Sequence, residues 1–589
     1  MQYLVYFYRV YLKYLSNKVW LLLGVTIFVA VADGLGISML LPLLQSLEVT
    51  DNVQSDNVLF KITGYLGISH SLIGILTFMF FIFFGKAILK FCAGYYQSAL
   101  FRDLYRHLKI NFYDAILNVD YEYFTKRNAG YFITVMNGHT SKLVNSFNIF
   151  ITVITSAVMT ISYLALAALI SWQVSMMAVV LGGIVMGLLT IVNRYVRKIS
   201  HQISKQETKM SQIAIQALHA FKYIVSTASY KPIQNQYGES IRILTGLQFK
   251  TQVANAFTNS LQELFSITLL IAMILIEVII LGYPISAVFV VLLLFYRGVN
   301  QLMAIQVNWQ LLIQNQGFVA SVDSELDRLI EHRAPNGTND QSIVLNQAAL
   351  VLEDLHFSYS EEEAAILQGL NITIQPNSSV AFVGPSGAGK TTLVDVITGL
   401  LRPNVGSIKV GSRDLSDTKS DLWRSKIGYV AQDLTVFDDT VANNIALFRK
   451  DATLDDIKTA AKMASADKFI QELPHGYQTR IGDKGVRLSG GQKQRLFIAR
   501  ELFKKPQLLI LDEATSALDS ESERYIQESI DRLKGKVTVI IIAHRLSTIR
   551  NADVIYVLKD GRVVEFGTYD NLIRELNSSF SEMVRLQSV

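Results

Sequence analysis

Ser379-Val380-Ala381-Phe382-Val383 runs straight into Gly384-Pro385-Ser386-Gly387-Ala388-Gly389-Lys390-Thr391, and then into an apolar-periodic segment, Thr392–Leu400. The first five residues read as a buried strand and the last nine as a helix, with a glycine-rich turn between them. Glycine lets successive backbone N–H groups curl toward one point with no Cβ in the way. The helix that follows aims the positive end of its dipole at the same point. Such a turn holds phosphate. Lys390 is placed to neutralise the outer phosphates, and Thr391 to offer a hydroxyl to Mg2+. From about Val344 strands alternate with helices, so the C-terminal part reads as an α/β P-loop nucleotide-binding domain.

Further along, Leu508-Leu509-Ile510-Leu511 is a second buried strand, and it ends in Asp512-Glu513. Asp512 suits a Mg2+ shell. Glu513 suits orienting and deprotonating an attacking water. Between loop and strand lies a second glycine-rich turn, Leu488-Ser489-Gly490-Gly491-Gln492. One nucleotide site has no use for it. The economical reading is that this turn serves the nucleotide held by a second copy of the chain.

These motifs, in this order, resemble those of the ATP-binding cassette (ABC) transporters, and of exporter-type half-transporters in particular. The resemblance extends over the whole chain. Leu488–Gln492 matches the family's signature sequence, and Gln432 in Val430-Ala431-Gln432-Asp433 its Q-loop. Ser516-Ala517-Leu518-Asp519 matches the D-loop, and His544 in Ile542-Ala543-His544-Arg545 the switch histidine. Tyr359 matches the aromatic that stacks on adenine. Thr479–Gly485 resembles the loop that touches the membrane domain, with Asp483 where Glu is usual.

The resemblance implies two cassettes closing head-to-tail around two ATP molecules. Ser489, Gly490 and Gly491 of one then bind the γ-phosphate held by Lys390 of the other. Leu488, Gln492 and Asp519 complete the ATP-binding set with Gly384–Thr392. Glu513, His544 and Gln432 are the catalytic candidates. Thr391, Gln432 and Asp512 are the Mg2+ candidates. One membrane half and one cassette per chain call for two chains, and the intact Glu513 favours a homodimer over a heterodimer with one spoiled site.

The N-terminal half is of another kind. Hydrophobic residues make up 50% of the chain and charged ones only 17%, and the excess is concentrated before about residue 320. A bilayer crossing needs about 20 mostly apolar residues. Six segments qualify: Val19–Leu44, Leu72–Tyr95, Phe147–Ser171, Val174–Asn193, Leu261–Leu281 and Pro284–Met303. Lys and Arg gather between spans two and three and between spans four and five, whereas Glu48, Asp51 and Asp56 lie between spans one and two. This bias makes the basic segments and both termini cytoplasmic. The basic segments hold few helix breakers. They read as spans continued into long protruding helices that turn around near Asp120–Gly130 and Phe221–Pro232.

The expected organisation is a six-span all-α transmembrane domain at 1–330, a linker at 331–342 and the nucleotide-binding domain at 343–589. The N-terminal residues, Met1 to Trp20, read as an interfacial amphipathic helix, Val58–Ile62 as a second short one, and Cys92 as a small core residue. The single cysteine excludes an intramolecular disulfide, and the small net charge of +5 gives nucleic acid no footprint.

Charges within spans mark substrate paths or internal pairs. Asp33, Lys86, Lys90 and Arg297 are the substrate-cavity candidates. Lys86 and Lys90 share a helix face. Together with Arg297 they would suit an anionic head group, unless Asp33 pairs with Lys86 and leaves no patch. Ala32–Pro42, with a basic residue in span two and an arginine in span six, is similar to bacterial lipid-linked oligosaccharide flippases. That likeness implies flipping of an amphipathic lipid-linked substrate across a bacterial plasma membrane. A multidrug exporter is the alternative. A peptide exporter with its own protease is disfavoured, because no reactive Cys and His precede the spans.

Overall fold

The computed structural model describes the chain apart from residues 1, 16–17, 41–42, 44–71, 171, 281–284, 335–336, 338, 340–343, 361–363, 483–484, 513–519, 543–544, 576–577 and 588–589. The chain divides into two compact units, Met1–Val119 with Tyr123–Arg333, and Ala334–Val589 with Asp120–Glu122.

The first unit is helical among its described residues, apart from short turns and one isolated bridge, Val119 to Arg333. Three helices dominate it: Leu72–Leu117 (46 residues), Trp172–His219 (48) and Tyr230–Ile274 (45). At 1.5 Å per residue each is about 70 Å long, more than twice the ~30 Å of a hydrocarbon core. The apolar part of each lies at one end and the basic part at the other, so the excess length leaves the bilayer on the basic side. The chain turns back through the short helices Tyr121–Thr125 and Ala129–Thr134 after the first, and through Phe221–Ser226 after the second. Both turns fall where sequence places them.

Four helices among the described residues are long and apolar enough to cross a membrane, beginning at Lys18, Leu72, Ala129 and Tyr230. The two remaining predicted spans lie within helices Trp172–His219 and Ile285–Gln314, several of whose side chains are outside the described set. Phe80, Phe81, Phe84, Ile88 and Phe91 project outward from one helix. A soluble protein would not leave such a stripe in water, and lipid is its natural solvent.

Two expectations are corrected here. The N-terminal helix, Gln2–Leu15, turns its apolar face to protein rather than lipid. Phe7, Val10, Tyr11 and Leu15 are buried, Tyr11 and Ser146 share a 2.8 Å hydrogen bond, and Lys13 reaches Asp323 and Asp327 at 3.0 and 2.7 Å. Cys92 is exposed, not core, because it sits on the outward face of the Leu72–Leu117 helix. The segment Val58–Ile62 lies outside the described residues.

The second unit holds two sheets. One is antiparallel, in the order β2-β1-β4-β5, from β1 (Leu350–Phe357), β2 (Leu367–Ile374), β4 (Val405–Val410) and β5 (Arg413–Asp414). The other contains β3 (Ser379–Val383), β6 (Ile427–Val430), β7 (Leu508–Asp512), β8 (Thr538–Ile542), β9 (Val554–Lys559) and β10 (Arg562–Gly567), in the order β10-β9-β3-β8-β7-β6. From β9 to β6 its strands are parallel. β3, β7 and β8 are buried at every residue, which is why each reads as a continuous apolar run.

Candidate functional site

The register of the parallel sheet locates the site. Phe382 of β3 stands opposite Ile542 of β8, Ile542 opposite Asp512 of β7, and Leu511 opposite Val430 of β6. One row across four strands thus marks their carboxyl ends. The chain leaves that row into Gly384–Lys390, toward His544, toward Glu513, and into Ala431-Gln432. The strands that lead into four motifs, spread over 160 positions of sequence, thus end along one edge, the edge at which open α/β sheets bind ligands.

The loop after β3 is a formed cradle. Gly384 has φ +151°, and a Cβ there would collide with the carbonyl oxygen of Leu558 on β9. Gly389 caps the following helix, Lys390–Ile397, at φ +91°, and a Cβ there would come within 2.9 Å of Leu367. Only glycine meets both demands. Lys390 is 6% exposed, and its Nζ donates to the carbonyls of Gly384 (2.8 Å) and Pro385 (2.9 Å), so the loop curls around its own cation. Pro385, Ser386, Gly387 and Thr391 face outward, while Ala388 packs into the core. The helix stops three residues short of the predicted Leu400 because Gly399 turns left-handed, at φ +72°.

Asp512 is 4% exposed at the end of β7 and accepts a 3.1 Å hydrogen bond from Tyr429 on β6. Asp395, on the loop helix, has its carboxyl pushed up to about 6 by burial, with the Asp512 carboxylate adding to the effect. Hard oxygen donors from Asp512, Thr391 and Gln432 match the chemistry of Mg2+. Gln432 is exposed on the segment after β6. Tyr359 is 39% exposed and meets Phe357 edge-on at 5.0 Å, leaving a ring face open. Glu513, Asp519, His544 and Asp483 lie outside the described residues.

The second glycine-rich turn is the start of helix Gly490–Phe503. Ser489 is its N-cap. Its Oγ accepts from the Gln492 N–H at 3.2 Å, while Gln492 Oε1 accepts from the Ser489 N–H at 2.9 Å, a reciprocal capping box. Ser489 and Gly490 are exposed; Leu488 and Gly491 are buried. The two turns stand on different cores. Leu393, Val394 and Ile397 of the loop helix join one cluster, and Leu496, Ile498 and Leu502 of the second helix join the other.

Sequence reading missed several supports. Arg500 is 4% exposed and donates to the carbonyls of Asn444 (2.7 Å) and Thr435 (2.9 Å) and to the Asn444 side chain (2.9 Å). It braces the Ser489 helix against the chain that follows Gln432. Burial pulls its guanidinium down to about 10, still charged at neutral pH. An arginine directly after the apolar run Leu496–Ala499 was the available signal. Tyr429 and Asp395 gave none.

Among the membrane residues, Lys86 donates to one oxygen of Asp33 and the Tyr163 hydroxyl to the other. Asp33 is 3% exposed, so the pairing alternative raised from sequence is the arrangement found. Arg297 acts on the same Tyr163 as a hydrogen-bond donor and is itself exposed, as is Lys90. Three of the four candidates, Asp33, Lys86 and Arg297, therefore meet around Tyr163, and Lys90 is not brought to them by any of these contacts.

Comparison with known proteins agrees with this construction. The family described as ABC transporter transmembrane region matches residues 19–302, and the family described as ABC transporter matches residues 367–516. An ATP-dependent lipid A-core flippase of Saccharophagus degradans is 30% identical over 83% of this chain and 83% of its own length. The heterocyst differentiation ATP-binding protein HepA of a Nostoc species is 31% identical over 83% of this chain and 80% of its own. The solved structure of a bacterial Atm1-family ABC exporter with ATP bound superposes with a TM-score of 0.82 at 23% identity, covering 98% of this chain and all of that one. A membrane unit of long apolar helices and a P-loop sheet whose motifs gather at one edge are thus joined in one chain, which belongs to the ABC transporters and is an ATP-hydrolysing half-transporter of the exporter type.

Proposed function

We propose that two copies of this chain form a Mg2+-dependent, ATP-driven flippase for an amphipathic lipid with an anionic head group, such as a lipid-linked oligosaccharide, in a bacterial inner membrane with both termini cytoplasmic. The observation that carries the dimer is the Ser489 turn. It is a formed anion-binding helix start with an exposed hydroxyl, and it is built on a different core from the Lys390 loop. A γ-phosphate held by Lys390 of one copy and Ser489 of the other bridges the two cassettes and favours their closure.

In this reading Lys390 neutralises the outer phosphates, and backbone N–H groups of Gly387–Thr391 cradle them. Thr391, Asp512 and Gln432 hold Mg2+, which when bound offsets phosphate charge. Glu513 takes a proton from the attacking water, and His544 contacts the γ-phosphate. Tyr359 stacks on the base, and Asp519 lines the site from the partner side. Loss of the γ-phosphate removes the bridge and the cassettes part.

The lipid assignment rests on the membrane unit and on the relatives. Lys86 pairs with Asp33, and Arg297 joins the same cluster through Tyr163. In this reading the exposed Lys90 and Arg297 are the cations that meet an anionic head group. The test is ATP-driven flipping and ATPase stimulation in proteoliposomes with undecaprenyl diphosphate-linked saccharide, lipopolysaccharide core, phospholipid and a hydrophobic cationic dye. Stimulation by the anionic glycolipids supports the reading. Stimulation by the cationic dye alone overturns it in favour of a multidrug exporter.

A further inference from the structure

Two neighbouring strands of the parallel sheet end level with each other. Asp512 closes β7 and stands opposite Ile542, which closes β8. The chain that leaves β7 carries Glu513 and enters the helix Ser520–Leu533. The chain that leaves β8 carries His544 and enters the short helix Leu546–Ile549. Beyond both loops the two segments meet again. Arg545 Nη1 donates to Glu523 Oε2 at 2.6 Å, between side chains that are 34% and 16% exposed.

The anchors on either side are firm. Leu511 of β7, Ile541 of β8, Ile526 and Ile530 of the longer helix and Ile549 of the shorter one belong to one buried cluster. Thr548 is buried and donates its hydroxyl to the Arg545 carbonyl at 2.7 Å, which fixes the backbone from which the guanidinium reaches out. Strand pairing thus joins the two segments at one end, and the ion pair joins them at the other. The ring so closed contains residues 513–522 and 543–544.

A solvated charged surface does not account for this contact. The same helix carries Arg524–Glu528 at 3.6 Å and Arg532–Glu528 at 3.9 Å, pairs within one helix whose side chains are 43–67% exposed. Pairs of that kind contribute little. Arg545–Glu523 is shorter and less exposed, and it links two separate elements. A charged hydrogen bond has direction as well as strength, and closing a loop removes freedom from the chain inside it.

We propose that Arg545 and Glu523 are positioning residues for ATP hydrolysis: their ion pair closes the ring that carries Glu513 and His544 and keeps those two in register for attack on the γ-phosphate. The pair acts through the loops, so it serves the chemical step, while binding is the task of the Lys390 loop on β3. The inference rests on the reading of Glu513 as base and His544 as γ-phosphate contact, and not on the cargo.

The experiment measures steady-state ATPase on the full-length, detergent-purified protein, together with the Kd for a non-hydrolysable ATP analogue with Mg2+. Arg545→Met and Glu523→Gln should each lose about ten-fold or more in kcat, since a small misplacement of catalytic groups costs up to about 100-fold, while Kd stays within about two-fold of wild type. The double variant should be no slower than the slower single one, because a single contact is lost; independent roles would multiply to about 100-fold or more. Arg545→Lys keeps a cation within reach of Glu523 and should recover most of the turnover. Should Arg545→Met fail to fold, Glu523→Gln and Arg545→Lys carry the test. The proposal is overturned if kcat holds within about two-fold in the single variants, if the losses multiply in the double, if Arg545→Lys is as slow as Arg545→Met, or if Kd rises in step with the loss of kcat. Glu513→Gln in the same assay tests the underlying reading: undiminished hydrolysis there removes Glu513 as the base, whatever the pair variants do.

Discussion

Ser489 does two jobs in this reading, and they separate by substitution. It caps the helix Gly490–Phe503 through the 3.2 Å bond from Gln492 N–H, and it offers its exposed hydroxyl to the nucleotide of the partner copy. Ser489→Ala removes both. Loss of the cap costs about 1 kcal/mol, which in a domain of this size lowers the melting temperature by about 2–4 °C. Loss of a hydrogen bond to a charged phosphate costs about 1.5–3 kcal/mol, a fall in ATPase of roughly 10–150-fold. Ser489→Asp caps as well as serine and suits the helix dipole, so the melting temperature should hold within about 1 °C. It also sets a carboxylate against the γ-phosphate, and ATPase should vanish.

Mixing then tests which copy the serine serves. Lys390→Ala and Ser489→Asp homodimers are each inactive. A mixed dimer assembles one intact site, from Lys390 of one chain and Ser489 of the other. With random pairing and independent sites, co-expression should restore up to about a quarter of wild-type activity. Co-purification through two affinity tags establishes that mixed dimers are present. If their activity is no higher than that of either parent, Ser489 acts on its own chain's nucleotide or on none, and the dimer argument falls.

Other expectations follow from single contacts. Gly384→Ala forces a Cβ against the Leu558 carbonyl at a φ that L residues avoid, so ATP affinity measured by calorimetry should drop at least ten-fold; near-normal binding would mean the loop reforms at ligand approach. Lys86→Met strands the buried Asp33 carboxylate, and thermal stability in detergent should fall more than in the double variant Asp33→Asn/Lys86→Met, a ranking that a non-interacting pair would not give. Asp395 is protonated more readily in the folded chain than unfolded, so it favours folding at low pH and that gain disappears as pH rises through about 6. In nucleotide-free protein with chelator, Asp395→Asn should therefore gain stability on wild type as pH rises from about 4 to about 6 and keep that gain above it; parallel pH profiles of melting temperature across that range would remove the assignment.

The two architectures were legible in sequence because each is carried by local pattern. Long apolar runs need no partner to declare a span, and Gly384–Thr391 after an apolar strand is recognisable within thirteen residues. The hairpin turns near Tyr121 and Phe221 showed as breaks in otherwise breaker-poor helices. The strand–loop–helix around Gly384–Thr391 and the end of the strand at Asp512 were likewise readable motif by motif. What brings the motifs to one edge is the order β3-β8-β7-β6, and no short segment encodes strand order.

The sequence by itself determined which residues bear charge, which segments must avoid water and which loops can hold phosphate, because those properties belong to residue types and short spacings. The tertiary structure alone decided the partners. It paired Lys86 with Asp33 across 53 positions, wrapped Arg500 around Asn444 across 56, and buried Glu325 under Tyr123 and Tyr131 from 202 and 194 residues away. It also turned the N-terminal helix toward protein and Cys92 outward. A buried charge takes its meaning from what stands within a few ångströms, and packing of distant segments sets that distance.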